Sequence, residues 1–180
     1  VRVGSIGKAI WGVQMRIRRD DGTFAPPGEV GEIVIRGHNV MKGYHNNSRA
    51  TAAAIIDGWF LTGDIGKMDE DGYFYILDRK KDIIIRGGMN IYPREIEEVL
   101  YRYPKVREAS VVGVPDEARG EEVKVYVSPA AGETLTPEEI MEYLKEHTAR
   151  YKWPKEVVVL EDLPKGPTGK ILKRELKMRQ

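Results

Sequence analysis

Hydrophobic and polar residues alternate along much of the first 78 positions, the period expected of half-buried strands. The stretch VQMRIRR (Val13–Arg19) shows this pattern, and GEIVIRG (Gly31–Gly37) predicts the next strand. One helix interrupts the strands, with Ser48 placed to cap it and Gly58 to end it. A hairpin with its turn at DEDG follows. Residues 1–78 are therefore predicted to form a small β-rich lobe.

From about Asp82 the pattern changes to strands that alternate with helices. Pro93 suits the first turn of the helix PREIEEVLYRY, and Thr136 suits the N-cap of TPEEIMEYLKEH. A basic helix, ILKRELKMRQ, is predicted at the end of the chain. Residues 82–180 are thus predicted to form a compact α+β domain with a small sheet flanked by helices. The charge-dense DRKKD stretch lies where the two patterns meet, and residues 79–81 are predicted to be a hinge.

The composition of the chain argues against several classes of function. The 180 residues carry 29 Lys plus Arg and 28 Asp plus Glu, a net charge of +1, which argues against a general nucleic-acid or anionic-membrane surface. The absence of cysteine excludes disulfides and a cysteine nucleophile. No apolar run is long enough for an integral membrane segment, so a cytoplasmic location is expected. His38, His45 and His147 are scattered, so no metal site is expected.

The GPTGK stretch that ends at Lys170 is not a P-loop. That loop needs four residues between its glycines and a Ser or Thr after the lysine. Here two residues separate Gly166 from Gly169, and Ile171 follows the lysine. Lys170 therefore needs another explanation than a nucleotide cradle.

Asp64, Arg79 and the pair Gly87–Gly88 are further candidates for binding a ligand, and for Asp64 and the glycine pair a simpler structural role is also open. Asp64, in WFLTGD, is suited to accept two hydrogen bonds from a vicinal diol such as a ribose, or it merely caps a glycine turn. The forked guanidinium of Arg79 suits a ribose hydroxyl or a phosphate oxygen. Gly87 and Gly88 leave a strip of bare backbone, which either permits an unusual turn or lets a ligand lie against the chain.

The order of the motifs GEIVIRG, GYHN, GWFLTGD, DRKKDIIIRGGMNIYPREIE and PKGPTGK resembles that of the adenylate-forming superfamily. This superfamily comprises acyl-CoA synthetases, firefly-type luciferases and peptide-synthetase adenylation domains, and the acyl-CoA ligases are the most similar. The family's triphosphate loop and acyl pocket have no counterpart in the chain. The resemblance implies the C-terminal portion of such an enzyme, a barrel-like lobe plus the mobile C-terminal domain, inactive alone.

The resemblance also implies roles at matching positions. Asp64 would hold both ribose hydroxyls of ATP, with Arg79 as its ribose and phosphate partner. Lys170 would be the catalytic lysine of the adenylation step. Lys81 would be the hinge. Gly88, together with Gly87, would line the pantetheine tunnel of CoA.

The implied reaction converts a carboxylic acid, ATP and CoA into acyl-CoA, AMP and pyrophosphate, with Mg²⁺ arriving on the triphosphate. A medium- or long-chain fatty acid is the expected acid. Two alternatives remain open: an adenylation enzyme whose acceptor is a carrier-protein thiol or another group, and a stand-alone binding module without catalysis.

Overall fold

The computed structural model describes residues 2–179. Val1 and Gln180, the outermost residues of the predicted lobe and domain, lie outside the described residues. The chain is a mixed α+β protein rich in sheet, as the sequence predicted, and its helices are few and short. It divides into two compact units, the first ending at Lys81 and the second beginning at Asp82.

The first unit is built on one antiparallel sheet that curls as a half-barrel. Its elements are β1 (Val13–Arg18), β2 (Val30–Gly37), α1 (Ser48–Ala54), β3 (Ile55–Ile56), β4 (Trp59–Met68) and β5 (Phe74–Arg79). The strand order is β1-β2-β4-β3, and β5 pairs with β4. Ile17, Ile33 and Phe74 are almost fully buried and form the centre of its core.

Helix α1 is shorter than predicted, and its cap is one residue earlier. The Asn47 side chain, not that of Ser48, accepts the hydrogen bond from the Ala50 amide at 2.9 Å. The helix ends at Ala54 because the next two residues pair with β4 instead. Gly58, predicted to end the helix, lies in the turn between β3 and β4 with a φ of 78°.

The second unit has a five-stranded sheet with helices on both faces. Its elements are β6 (Ile84–Arg86), β7 (Met89–Ile91), α2 (Pro93–Leu100), β8 (Val106–Asp116), β9 (Gly120–Pro129), α3 (Pro137–His147), β10 (Glu156–Val159) and α4 (Lys173–Met178). The order is β10-β9-β6-β7 with β8 on β9, and only the β9–β10 pairing is parallel.

Alternate residues of β8 and β9 point to two different cores. Val111 belongs to the core formed with α2 and α3, which contribute the fully buried Ile96 and Leu144. Val112 belongs to a second core with Leu176 of α4. This two-sided burial explains why β8 carries an almost continuous apolar run.

Two boundary features differ in detail from the prediction. Lys80–Asp82 form one turn of 3-10 helix at the position predicted to be a hinge. Helix α4 begins at Lys173 and not at Ile171, which instead forms an isolated β-bridge with Lys165.

None of the α-helices in residues 2–179 combines the length and apolar character needed to cross a bilayer.

Candidate functional site

A bulge in β4 sets the position of Asp64. Between two successive pairs of the β2–β4 ladder, residues 62–64 of β4 lie opposite Ile33 alone. The Thr62 hydroxyl donates to the Ile33 carbonyl at 2.7 Å and accepts from the Asp64 amide at 3.0 Å. The strand therefore continues past Gly63 to Met68, and Asp64 lies on the bulge and not on a turn that ends the strand.

The register of β4 and β5 places Asp64 directly opposite Arg79. Arg79 Nε lies 3.1 Å from Asp64 Oδ1, and the arginine side chain is 59% exposed. A cavity of about 410 Å³ opens beside this pair. It is lined by Thr62, Gly63, Arg79, Lys80 and Lys81. The structure thus brings two sequence-predicted residues into contact and places the third, Lys81, at the same cavity.

Glu32 of β2 braces both sides of this pair, and sequence reasoning missed it. The residue is 5% exposed. Its Oε1 accepts from the Gly63 amide at 3.0 Å, and its Oε2 lies 3.2 Å from Lys80 Nζ. Lys80 also pairs with Asp20 at 3.0 Å. Partial burial would lower the pKa of Lys80, but the hydrogen bonds to Asp20 and Glu32 outweigh it and raise that pKa. The only sequence signal for this role was an acidic residue inside the apolar strand GEIVIRG.

Gly87 and Gly88 form the two-residue turn between β6 and β7. Their φ values of 56° and 81° are both positive, as a type I′ hairpin requires, so the turn itself explains the glycines. Both are exposed, and apart from the adjacent residues no atom of the described chain lies within 4 Å of where a Cβ would be. The turn therefore also leaves room for a ligand along its backbone.

A larger cavity of about 890 Å³ adjoins Gly87. Four cationic residues spread over 65 positions of the sequence line it, together with two aromatic residues, Tyr151 and Trp153. The cationic residues are Arg86, Arg119, Lys145 and Arg150.

Arg86 organises the wall of this cavity. It is half-buried, lies 2.8 Å from Glu122, and donates to the carbonyls of Tyr151 and Trp153 at 3.1 and 2.9 Å. Trp153 also faces the cavity. The neighbouring Lys152 pairs with Glu95 at 2.7 Å.

Lys170 lies on a closed loop, residues 164–172, called here the lysine loop. The Gly166 amide donates to the Lys170 carbonyl at 2.9 Å, and the Leu172 amide donates to the Pro164 carbonyl at 2.8 Å. Gly169 has a φ of 78° and turns the chain just before the lysine. Lys170 itself is exposed and is not among the residues that line the Gly87 cavity. Within residues 2–179, no three acidic or histidine side chains are arranged to hold a metal ion.

Comparison with known proteins identifies the family. The model for the AMP-binding enzyme C-terminal domain matches residues 95–170, and the model for AMP-binding enzymes matches residues 1–45. The chain belongs to the adenylate-forming superfamily. The resemblance drawn from the motif order is therefore confirmed.

Three similar curated proteins are named for the formation of a CoA thioester. The 2-succinylbenzoate–CoA ligase of Geobacillus sp. (strain WCH70) is 46% identical over 176 residues, which are 98% of this chain and 36% of that protein. The feruloyl-CoA synthase of Amycolatopsis sp is 46% identical over 178 residues, 99% of the chain and 36% of that protein. The long-chain-fatty-acid–CoA ligase of Bacillus subtilis (strain 168) is 51% identical over 157 residues, 87% of the chain and 28% of that protein. The chain spans about a third of the length of these relatives.

Solved structures of the superfamily agree with this fold over nearly the whole chain. MatB from Rhodopseudomonas palustris with ATP bound matches with a TM-score of 0.90 at 39% identity, over 97% of this chain and 35% of that one. MenE from Bacillus subtilis with the acyl-adenylate OSB-AMP matches at 0.90 and 40%, over 99% and 36%. The amide bond synthetase McbA from Marinactinospora thermotolerans matches at 0.87 and 38%, over 96% and 36%.

The brace predicts that Glu32→Ala destabilises the first unit. The substitution leaves the Gly63 amide without its acceptor and Lys80 without its buried partner, so the free energy of unfolding should fall by about 1–3 kcal/mol. Urea unfolding followed by NMR resonances of the first unit measures this. Glu29→Ala is the matched control, because Glu29 pairs with Arg19 at the surface. Equal effects of the two substitutions would contradict the bracing role.

Proposed function

We propose that this chain serves an ATP-dependent ligase reaction with two steps. A carboxylate oxygen attacks the α-phosphorus of ATP and displaces pyrophosphate, giving an acyl-adenylate. The thiol of CoA then attacks the acyl carbon, loses its proton and displaces AMP, giving the thioester. The observation that carries the proposal is the Asp64–Arg79 pair at the edge of a cavity, in a chain of the adenylate-forming superfamily.

The pair is suited to hold the nucleotide. One carboxylate accepts hydrogen bonds from both hydroxyls of a ribose, because each of its oxygens has lone pairs available. Asp64 uses one oxygen for Arg79 and keeps the other for such a ligand. The exposed guanidinium of Arg79 has further N–H groups for a ribose or phosphate oxygen. Mg²⁺ would enter as part of the ATP complex.

Lys170 is proposed to act in the first step. Negative charge builds on the α-phosphate as the carboxylate attacks and pyrophosphate leaves. A lysine cation placed there stabilises the transition state more than the ground state, which is what accelerates a reaction. The exposure of Lys170 on a closed loop supports this role, because the ammonium group is presented without being buried.

The second unit is proposed to bind CoA in the second step. Gly87 and Gly88 leave space for the slender pantetheine arm, and the adjoining cavity offers cations for phosphates and two aromatic rings for an adenine. We propose residues 1–78 as the last part of the large adenylation domain and residues 82–180 as a mobile domain. Residues 79–81 would be the hinge, with backbone rotation at Lys81 exchanging the Lys170 surface for the Gly88 surface.

A fatty acid is proposed as the carboxylate. The relative with the highest identity among those given above, at 51%, is by name a long-chain-fatty-acid–CoA ligase. The names of the other two relatives refer to aromatic acids, so an acid panel that includes ferulate and 2-succinylbenzoate is the appropriate test.

A second candidate function transfers the acyl group to an amine. It is favoured by the likeness to the amide bond synthetase McbA. The CoA-ligase and amide-synthetase functions require different ligands at the Gly87 cavity. CoA carries phosphates that can pair with the cationic residues of the cavity, whereas a simple amine carries none.

The role of Lys170 predicts a selective kinetic defect. In a chimera where this chain replaces the matching 178 residues of the Amycolatopsis feruloyl-CoA synthase, ferulate and ATP should yield pyrophosphate. Lys170→Ala should slow this step by roughly 10²- to 10³-fold, the scale of losing one transition-state charge contact. Thioester formation from preformed feruloyl-adenylate should be largely spared. The measurements are pyrophosphate release and absorbance of the thioester.

The matched control is Lys177→Ala, which removes an exposed lysine of α4 and should leave both steps intact. The 180-residue chain by itself should release no pyrophosphate. A folded chimera without adenylation activity, or equal loss in both steps, would contradict the proposal.

The cavity predicts a defect specific to CoA. Arg119→Ala and Arg150→Ala should each raise the KM for CoA about tenfold, the scale of one charge-assisted hydrogen bond. The KM for pantetheine, which lacks the nucleotide, should not change, nor should that for ATP. Arg102→Ala, at an exposed site elsewhere in the second unit, is the control. An unchanged KM for CoA in both variants would favour the amine acceptor.

A further inference from the structure

Two ion pairs hold the lysine loop to the rest of the second unit. Lys165, near the start of the loop, has its Nζ 2.6 Å from Oε1 of Glu108 in β8. Lys173, directly after the loop, has its Nζ 2.8 Å from Oε1 of Glu97 in α2. The loop that carries Lys170 is therefore tied at both ends to different elements of the same unit.

Both acidic partners are shielded from water. The Glu97 side chain is 16% exposed, and the same Oε1 that meets Lys173 also accepts from the Val111 amide at 2.8 Å. The Glu108 side chain is 19% exposed, and its Oε2 is buried without a hydrogen-bond partner among residues 2–179. The lysine side chains are more exposed, 37% for Lys165 and 26% for Lys173, so both pairs are partly screened, but less than pairs in which both side chains lie at an open surface. These contacts are consequently stronger restraints than ordinary surface pairs.

The backbone hydrogen bonds of the loop cannot supply this restraint. They join Pro164 to Leu172, and Gly166 to Gly169 and Lys170, so they define the shape of the loop but not its direction. Apolar contacts of Ile171 with the core around Leu176 fix one side of the loop stem. Leu163, directly before the loop, is buried in the same core, and Arg107 of β8 pairs with Asp162 one residue earlier. The ion pairs of Lys165 and Lys173 add charged contacts at the loop itself and directly after it.

We propose that Glu97 and Glu108 are positioning residues. They hold the lysine loop in one conformation, so that the backbone that carries Lys170 is already in place when adenylation takes place. The proposal rests on the function proposed above for Lys170. A transition-state cation is effective only where its support is fixed in advance, because a displacement of about 1 Å is already costly. The two carboxylates are assigned no direct contact with a substrate, and they act through Lys165 and Lys173.

The first experiment tests the restraint on the 180-residue chain itself and needs no substrate. Amide hydrogen exchange at Gly166, Gly169 and Leu172 should become about tenfold faster in Glu108→Gln and in Glu97→Gln, because the loop opens more often. Exchange in β9 should stay unchanged, which separates loop opening from global destabilisation. Glu98→Gln is the matched control on α2, since its partner is the exposed Arg94. The charge-reversed pair Glu108→Lys with Lys165→Glu should restore slow exchange.

The second experiment tests the consequence in the feruloyl-CoA synthase chimera. Glu108→Gln and Glu97→Gln should each lower kcat of adenylation about tenfold with the KM for ATP unchanged, while thioester formation from feruloyl-adenylate is spared. Glu98→Gln should change neither step. A general folding defect would instead lower both half-reactions and the melting temperature.

The outcomes separate the two proposals. Unchanged exchange in the loop, or unchanged adenylation in Glu108→Gln and Glu97→Gln when Lys170→Ala is slow, overturns the positioning role. A Lys170→Ala chimera that adenylates normally overturns the proposed function, and the exchange data still decide whether the carboxylates restrain the loop.

Discussion

The register between β4 and β5 is the constraint on which the candidate nucleotide site depends. It sets Asp64 opposite Arg79, and a shift of one residue would turn every side chain of β5 to the other face of the sheet. The buried carboxylate of Glu32 stabilises this arrangement, because it accepts hydrogen bonds from the Gly63 amide, just before Asp64, and from Lys80, just after Arg79. The buried Glu32 thus fixes an ion pair that is partly exposed, so the pair remains accessible to a ligand.

The second unit places the Gly87–Gly88 turn, proposed to bind CoA, and the lysine loop, proposed to act in adenylation, on different elements around one sheet. The Gly87–Gly88 turn extends from β6–β7 beside a cavity lined by cations, whereas the lysine loop leads into α4, which covers the core around Tyr126. Because β8 and β9 are buried on both faces, this frame is rigid, and small loops on it can be held by a few side-chain contacts. A two-step reaction benefits from such a frame, since each step would use a different loop of the same domain.

The fold class and the family could be predicted from the sequence, because strand periodicity and the order of the motifs can be read without knowing any tertiary contact. Tertiary contacts decided the rest. The bulge that carries Asp64 depends on hydrogen bonds to β2, 29 residues away. Glu32 looked like one acid in an apolar strand, and the cations of the Gly87 cavity are spread along the second unit. The sequence predicted Ser48 as the cap of α1, whereas Asn47 caps it in the structure. Both residue types suit an N-cap, and the sequence alone does not rank them.

The most direct test of the nucleotide site compares AMP with 2′,3′-dideoxy-AMP by NMR titration of the 180-residue chain. AMP is expected to shift the amide resonances of residues 62–64 and 79–81. The dideoxy nucleotide, which offers no diol to Asp64, should bind at least tenfold more weakly. Equal shifts with the two nucleotides, or shifts confined to residues far from Asp64 and Arg79, would contradict this prediction.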